Sequence, residues 1–463
     1  MGKDLALELA GIDLGDKRLN DRAHVLIERL SADTAASINM NCQGWAETKA
    51  AYQFFDNPKV EPQKILLPHR KATERRMADQ QVVLVVQDTT ELDYSKHPTR
   101  DSGVLEKDHR FGLYDHSHLA LTPERLCLGV LGVEFFDRTP ESLGKTRERR
   151  QDPIETKESF RWLKGYRLAC ELVASHPNTQ IVSVADCESD IYDIYLEAQE
   201  QETPADFVIR AKQDRRLPEE DPTEGRNAYR RVCDEVATSP LLTTRQIELP
   251  RTPKREAREA TLEIRATQVT VKPPAHRSEL DEVTYNVVLV EEINAPNDGT
   301  NVGWLLITTL PIGTVDEVLL VVDYYIARWP IEVFFRVFKT GCRVEDIQLE
   351  TNARLKNCLM FYKVIAWRIM YATYLGRECP ELACDALFDD VEWKPVWKIV
   401  SKKPLPKKPP TLAVFIPMLA QLGGYNNRSS DDPPGPQVLW VGMRRMLEFS
   451  IAWSAFGPDA KNE

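Results

Sequence analysis

Two spacings of apolar residues divide the chain into predicted helices and predicted strands. Apolar positions recur at helical spacing in 14–30 and 45–60. The runs VVLVV (82–86) and IVSVA (181–185) are almost wholly apolar, which is typical of strands buried on both faces. Strands and helices then follow one another as far as residue 212. This order predicts an α/β fold in which helices pack on a mixed sheet.

A different pattern interrupts this order between 213 and about 302. Residues 261–273 and 283–293 alternate apolar and polar positions, as antiparallel strands do. The segment 245–277 carries eight Lys or Arg residues against four Glu residues, so the insertion is locally basic. The run WLLITT (304–309) then returns as a strand of the main sheet.

Residues 314–341 read as a helix with a discontinuity. Thr314 and Glu317 form a capping-box pattern at its start, and Gly341 is a favourable residue at its end. Pro330 lies inside the pattern, lacks an N–H group and clashes with the preceding turn. We therefore expect either a bend near Pro330 or two helical segments.

Four polar residues of this helix fall on one narrow stripe. They are Tyr325, Arg328, Glu332 and Lys339. A carboxylate flanked by two cations and a phenol suits a site that holds a metal ion beside a phosphodiester. The spacing alone leaves open a solvated stripe in which Glu332 forms ion pairs with Arg328 and Arg336.

Two aspartates each follow a buried apolar run. If the strands that precede Asp88 and Asp186 are parallel neighbours, the two carboxylates lie close together beyond the strand ends. A turn or a helix N-cap is the alternative role for each aspartate. Together with Glu332, they predict a set of three carboxylates that could hold magnesium for phosphoryl chemistry.

The overall charge opposes nucleic-acid binding, so any DNA contact must use local basic patches. The chain has 60 Lys and Arg residues against 71 Asp and Glu residues, a net charge of −11. Arg18 and Arg22 lie one helical turn apart, and residues 69–76 form a basic run. Ordinary charged helix faces are the alternative for both patterns.

The cysteines and the hydropathy exclude several other classes of protein. The nine cysteines are scattered singly, so we expect reduced thiols and no zinc site, as in a cytoplasmic protein. No apolar run approaches the roughly 18 residues of a membrane span, and the N-terminus lacks the apolar segment of a signal peptide. We therefore expect no membrane partner.

The remaining segments predict helices, linkers and one charged loop. Residues 352–377 predict a long amphipathic helix, and the loop is expected at 145–150. Residues 381–392 and 402–410 predict a linker, and 412–456 predict a helical hairpin.

These motifs together resemble those of a known family. The chain is similar to the cut-and-paste DDE transposases of bacterial insertion sequences, in particular the insertion-sequence-four family and the transposase of transposon five. The polar stripe on the 314–341 helix matches that family's Tyr-Arg-Glu-Lys signature in full spacing. VQDTT resembles its first-aspartate motif at Asp88, and VADCESDIY resembles its second at Asp186.

The resemblance extends to residues that the family uses to bind DNA. Trp304 falls where the family carries a tryptophan that stabilises a flipped base, and Tyr325, Arg328 and Lys339 would bind phosphates around it. The resemblance places Arg18 and Arg22 in an end-recognition helix, Arg210 and Lys212 in a DNA channel, and the C-terminal hairpin in a dimerisation region.

The resemblance implies a ribonuclease-H-like catalytic core with a β-strand insertion. It implies a helical DNA-binding domain (1–70), a first part of the core (71–212), a β-rich insertion (213–302), the last strand and Glu-bearing helix of the core (303–376) and a helical dimerisation region (377–463). Asp88, Asp186 and Glu332 would bind two Mg²⁺ ions, for which Mn²⁺ could substitute.

The implied reaction is transposition of a DNA segment. Water would nick DNA at the terminal inverted repeats, and the freed 3′-hydroxyl would form a hairpin. After the hairpin opens, the 3′-hydroxyl would join target DNA. The active unit would be a homodimer on double-stranded DNA in the bacterial cytoplasm, associated with the nucleoid.

Two other functions use parts of the same pattern. A catalytically silent DNA-binding regulator or transposition inhibitor could derive from such a transposase, but it would be expected to lack part of the N-terminal module. A plain structure-dependent nuclease would need neither Trp304 nor the dimerisation hairpin. The presence of these features favours transposition.

Overall fold

The computed structural model describes residues 2–105, 110–140, 151–220, 229–249, 256–296 and 299–458. The expected loop at 145–150 and part of the basic segment lie outside them. The helices in this part of the chain are α1 (Gly2–Glu8), α2 (Lys17–Ala32), α3 (Ile38–Asn41), α4 (Trp45–Phe55), α5 (Pro62–Met77), α6 (Phe160–Ser175), α7 (Tyr192–Glu200), α8 (Val232–Thr238), α9 (Val315–Ile326), α10 (Pro330–Arg336), α11 (Asn352–Glu378), α12 (Asp390–Ser401), α13 (Leu412–Leu422) and α14 (Pro436–Phe456).

The strands in the described part of the chain form one large mixed sheet and one small two-stranded ribbon. They are β1 (Val82–Asp93), β2 (Gly103–Val104), β3 (Phe111–Leu121), β4 (Cys127–Phe136), β5 (Gln180–Ala185), β6 (Asp206–Arg210), β7 (Arg216–Glu220), β8 (Tyr229–Arg231), β9 (Leu241–Leu249), β10 (Arg258–Val271), β11 (Val283–Ile293) and β12 (Gly303–Thr308). The ribbon consists of β7 and β8.

The chain folds as two compact units. Unit 1 comprises Met1–Asp79, Thr89–Leu143 and Trp329–Glu463, and unit 2 comprises Gln80–Asp88 and Gly144–Arg328. The strand β1 contributes its first half to unit 2 and its second half to unit 1.

Unit 2 holds the parallel part of the sheet and the insertion. Here β1 pairs with β5 in parallel from Val82↔Gln180 to Gln87↔Ala185, and β5 pairs in parallel with β6. The antiparallel strands β12, β11, β10 and β9 follow in that order. Helix α6 packs on β5, and α9 packs on β5, β6 and β12. The alternating pattern of the insertion is thus explained by antiparallel pairing. The pattern did not reveal three further strands of the insertion, β7, β8 and β9.

Unit 1 combines antiparallel strands with most of the helices. Strand β3 pairs with β2 and with β4, and α5 and α11 pack against β4. The expectation that α11 is amphipathic is wrong, because most of its side chains are buried on all faces. Helices α2, α4, α5, α13 and α14 all contact it. It is therefore the central helix of this unit.

The 314–341 pattern divides at Pro330, as expected. Thr314 accepts a hydrogen bond from the N–H of Glu317, and Glu317 accepts one from the N–H of Thr314, so the capping box is present. The first helix, α9, ends at Ile326, and Pro330 opens α10 at a position where no N–H donor is needed. A π-helical turn, Val337–Gly341, completes the segment.

Three further expectations require correction. Strand β1 continues past Asp88 to Asp93 instead of ending before the aspartate. Helix α12 occupies part of the predicted linker. The basic run at 69–76 is not simply a charged face, because His69 is fully buried and its Nδ1 lies 2.6 Å from a carboxylate oxygen of Glu8.

Candidate active site

The parallel pairing of β1 with β5 brings two aspartates to neighbouring positions in unit 2. Its last pair is Gln87↔Ala185, so Asp88 and Asp186 each follow that pair by one residue. Neighbouring strands of a sheet lie about 5 Å apart. The condition stated for these aspartates, that their strands be parallel neighbours, is therefore met.

The carboxylate of Asp88 forms an ion pair with the guanidinium of Arg328. Nη1 of Arg328 donates to Oδ2 of Asp88 over 2.6 Å, and both side chains are 12% exposed. The pair is thus largely shielded from water, where an ion pair is screened least. It links the first aspartate to a residue of the predicted signature.

Asp186 also has a structural role. Its side chain accepts a hydrogen bond from the N–H of Glu188 over 2.9 Å and caps the short turn Cys187–Ser189. Glu188 in turn pairs with Arg161 over 3.0 Å. The N-cap alternative is therefore present, and it fixes the direction of the Asp186 side chain at the strand end.

An aromatic and cationic cluster lies in the same unit. The rings of Trp304 and Tyr325 meet edge to face with centroids 5.3 Å apart, and Nη2 of Arg210 donates to the carbonyl of Gly303 over 3.4 Å. Burial raises the pKa of Tyr325, although Arg328 and Arg210 oppose this shift. Its phenol therefore remains a hydrogen-bond donor at neutral pH. Trp304 is only half-buried, so simple core packing does not account for all of its surface.

Asp190, which no sequence pattern singled out, holds the loop that contains Lys212 and Gln213. One oxygen of its buried carboxylate accepts the N–H groups of Lys212 and Gln213 over 2.7 and 2.8 Å. The other accepts the hydroxyl of Tyr195 over 2.8 Å and the guanidinium of Arg215. Asp190 thereby fixes the backbone that carries exposed Lys212. The only sequence signal was a second aspartate four residues after Asp186.

Glu332 and Lys339 belong to unit 1. Glu332 lies in the first turn of α10, half-buried. Nζ of Lys339 donates to the carbonyl of Glu91 over 2.8 Å and lies 3.2 Å from a carboxylate oxygen of Glu345. Lys339 lies within the π-helical turn, which changes its angular position relative to Glu332 from that expected for a regular helix.

The N-terminal arginines lie at the start of α2. Asp16 caps this helix by accepting the N–H of Arg18 over 2.9 Å. Arg18 is exposed and Arg22 is half-exposed one turn later. Their side chains are therefore accessible on one face of the helix.

The donors at the end of the parallel pairing fit a divalent cation. Asp88 and Asp186 supply carboxylate oxygens, the ligands that Mg²⁺ prefers. Because Arg328 occupies one oxygen of Asp88, a bound cation would share or replace that ion pair. No group of three or more His, Cys, Asp or Glu side chains among the described residues is arranged to hold a metal ion.

Three family models match successive parts of the chain. Residues 3–60 match a transposase DNA-binding domain, 158–368 match a transposase DDE domain, and 364–454 match the dimerisation domain of the Tn5 transposase. The chain belongs to the Tn5-like DDE transposases. The DDE match of this transposase includes Asp186, Trp304 and Glu332, whereas Asp88 precedes it.

A solved structure is also similar to this transposase. It is described as the cryo-EM structure of the piggyBac transposase synaptic complex with hairpin DNA. The sequence identity is 10%, the TM-score is 0.35, and the match covers 79% of this chain and 67% of that chain. The likeness is too distant to bear on the function of this chain.

Membership of the family confirms several predictions. The protein acts on DNA as a transposase, an enzyme of the polynucleotidyl transferase and endonuclease class. Its activity depends on a divalent metal. It binds DNA and forms dimers. Its mixed sheet flanked by helices is the predicted ribonuclease-H-like fold class. No helix among the described residues has the length and apolarity needed to cross a membrane.

Proposed function

We propose that this transposase moves DNA by a cut-and-paste reaction. Water nicks the DNA at the transposon end, the freed 3′-hydroxyl attacks the opposite strand to form a hairpin, and water opens the hairpin. The 3′-hydroxyl then joins target DNA. The observation that carries the proposal is the placement of Asp88 and Asp186 one residue beyond the last parallel pair, with Arg328 on Asp88.

Asp88, Asp186 and Glu332 would hold two Mg²⁺ ions, with Mn²⁺ as a substitute. The chemistry that divalent metals supply in such sites is activation of the attacking oxygen and stabilisation of the leaving oxygen. Capping of the turn after β5 directs the Asp186 carboxylate, and the Arg328 guanidinium holds Asp88 until the cation binds.

The surrounding residues would bind the DNA. The half-buried ring of Trp304, supported by Tyr325, offers a surface on which an extruded base can stack. Arg328 and Lys339 would bind phosphates beside that base. Arg210 and Lys212 would line the DNA channel, since Asp190 fixes the loop that presents Lys212.

The ends of the chain would select the DNA and assemble the complex. Residues 1–70, with Arg18 and Arg22 on one face of α2, would recognise the terminal inverted repeats. Residues 377–463 would join two copies into a synaptic homodimer. The remaining proposed segments are 71–212 and 303–376 for the core and 213–302 for the insertion. The site of action would be the bacterial cytoplasm, at the nucleoid.

A denaturing gel tests this proposal. The purified protein would be incubated with labelled terminal inverted repeat DNA, with and without Mg²⁺. We expect a metal-dependent nick at the repeat boundary, followed by a product of hairpin size. Binding without cleavage in either Mg²⁺ or Mn²⁺ would overturn the proposal and favour a DNA-binding regulator.

A further inference from the structure

A charged residue is completely buried in the middle of α11. Lys363 and its partner Asp115 on β3 are both 0% exposed, and the ammonium group donates to the Asp115 carboxylate. Lys363 also donates to Oγ of Ser117 over 2.9 Å, and Ser117 donates to the second oxygen of Asp115 over 2.8 Å. These three side chains form a closed polar network inside unit 1.

Stability alone does not explain such a network. Burying an ion pair costs several kcal/mol of desolvation for each charge, and apolar residues of similar volume are often as stable or more stable. Burial lowers the pKa of Lys363, although Asp115 opposes the shift. A lysine at the centre of a helix that is otherwise mainly core therefore points to a role for its charge.

The ammonium group faces three aromatic rings of one segment. Its nitrogen lies 5.0 Å from the ring centroid of Phe334, 5.4 Å from that of Phe335 and 3.9 Å from that of Phe338. A buried cation at such distances is attracted to the ring faces. The rings of Phe334 and Phe338 also stack on each other with an interplanar angle of 3°. The cation therefore holds the rings as a group.

The same segment carries two residues of the proposed site. Phe334 lies two positions after Glu332 in α10, and Phe338 immediately precedes Lys339 in the π-helical turn. A π-helical turn is less regular than an α-helix, so its placement depends on contacts outside its own backbone. The Lys363 cation supplies such contacts on the buried side of the segment.

We propose that Lys363 is a positioning residue that sets the placement of Glu332 and Lys339 through the rings of Phe334, Phe335 and Phe338. This inference rests on the proposed function, in which Glu332 binds the catalytic metal. Lys363 acts through the rings, and Asp115 keeps its buried charge compensated.

The test removes the charge without leaving an unpaired partner. The variant Lys363→Met with Asp115→Asn replaces both ions by neutral side chains of similar size. A second variant, Phe338→Leu, keeps the ion pair and removes the nearest ring. The control is Lys356→Met, which removes a partly exposed lysine of the same helix that pairs with Asp137 over 2.7 Å.

Amide hydrogen exchange of the metal-free protein gives the first readout. We expect exchange in residues 330–341 to rise at least tenfold in the double variant and in Phe338→Leu, with little change elsewhere. The control should match the wild type. Exchange that is unchanged in this segment, or raised equally across unit 1, would overturn the positioning role. If the double variant fails to fold, Phe338→Leu decides the matter.

Metal dependence of cleavage gives the second readout. We expect the Mn²⁺ concentration for half-maximal nicking to rise at least tenfold, while affinity for the end DNA stays within twofold of wild type. Equal loss of DNA binding and cleavage would contradict the inference. If the wild-type protein itself does not cleave, the proposed function fails, and the exchange experiment still tests whether Lys363 orders this segment.

Discussion

At the scale of single residues, both aspartates of the proposed site are held by other groups of the protein. Asp88 is paired with Arg328, and Asp186 caps a turn. An ion pair and a helix cap are both common structural roles of aspartate, so these contacts alone do not mark either residue as catalytic. Their neighbouring positions in the β1–β5 register support the catalytic role proposed for both, and Asp186 also lies within the DDE match.

The Glu332 carboxylate can be tested by an isosteric change. Glu332→Gln keeps the size of the side chain but removes the negative charge that a divalent cation requires. We expect metal-dependent cleavage to fall below detection and affinity for end DNA to stay within about twofold. Both can be measured with one labelled terminal repeat, by gel shift and by denaturing gel. Retained cleavage would remove Glu332 from the site.

The proposed contribution of the Trp304 ring to hairpin formation can be measured separately from nicking. Stacking of a base on an aromatic side chain contributes roughly 1–3 kcal/mol. We therefore expect Trp304→Ala to nick the end normally but to form the hairpin about 5- to 150-fold more slowly. Trp397→Ala, which removes a half-buried tryptophan of α12, is the control. A wild-type hairpin yield in Trp304→Ala would show that this ring only packs.

At the scale of elements, the sequence predicts best where the local pattern decides the structure. Strand β11 has the predicted bounds, because its own alternation of apolar and polar positions marks it. Strand β5 begins only one residue early, because its own apolar run marks it. The capping box and Pro330 likewise act within one or two turns, so the start of α9 and the break before α10 were predictable.

The elements that were missed depend on partners far along the chain. The burial of α11 follows from the helices around it, and Lys363 is internal because Asp115, on β3, compensates it. Asp190 matters because a loop more than 20 residues later donates to it. The local periodicity of apolar residues cannot predict contacts between residues so far apart in the sequence.

The contact between α1 and α5 predicts a loss of stability in acid. Burial opposes ionisation of Glu8, but hydrogen bonds and charges from His69 and Arg76 lower its pKa to about 2. Since the folded pKa lies below the ordinary value, this stabilisation is present above about pH 4.5 and is lost as the pH falls towards 2. Burial also lowers the pKa of His69, whose protonation costs stability in the same direction.

Urea unfolding at several pH values measures this effect. We expect the free energy of unfolding of the wild type to decrease by about 2–3 kcal/mol more than that of Glu8→Gln between pH 5 and pH 2. The variant should be less stable than the wild type at pH 6, because Arg76 and His69 lose their charged partner. Parallel pH profiles for the two proteins would show that the Glu8 carboxylate is not responsible.

At the scale of the whole molecule, three family domains follow one another in an acidic chain. The DNA-binding match covers 3–60, the DDE match covers 158–368 and the dimerisation match covers 364–454. A net charge of −11 means that attraction to DNA must come from local basic groups, and we propose Arg18 and Arg22 on α2 as two of them. We propose that the aspartates at the end of the parallel pairing bind the metal on which DNA cleavage depends.

Cleavage by the variant Asp186→Cys in Mg²⁺ and in Mn²⁺ tests whether Asp186 binds this metal. A thiolate binds Mg²⁺ poorly and accepts softer metals more readily. We expect the variant to bind the labelled terminal repeat normally, to fail to nick it in Mg²⁺, and to recover nicking in Mn²⁺. Nicking in Mg²⁺ at the wild-type rate would contradict metal binding by Asp186. Equal loss of nicking in both metals, by a folded variant that still binds the DNA, would contradict it as well.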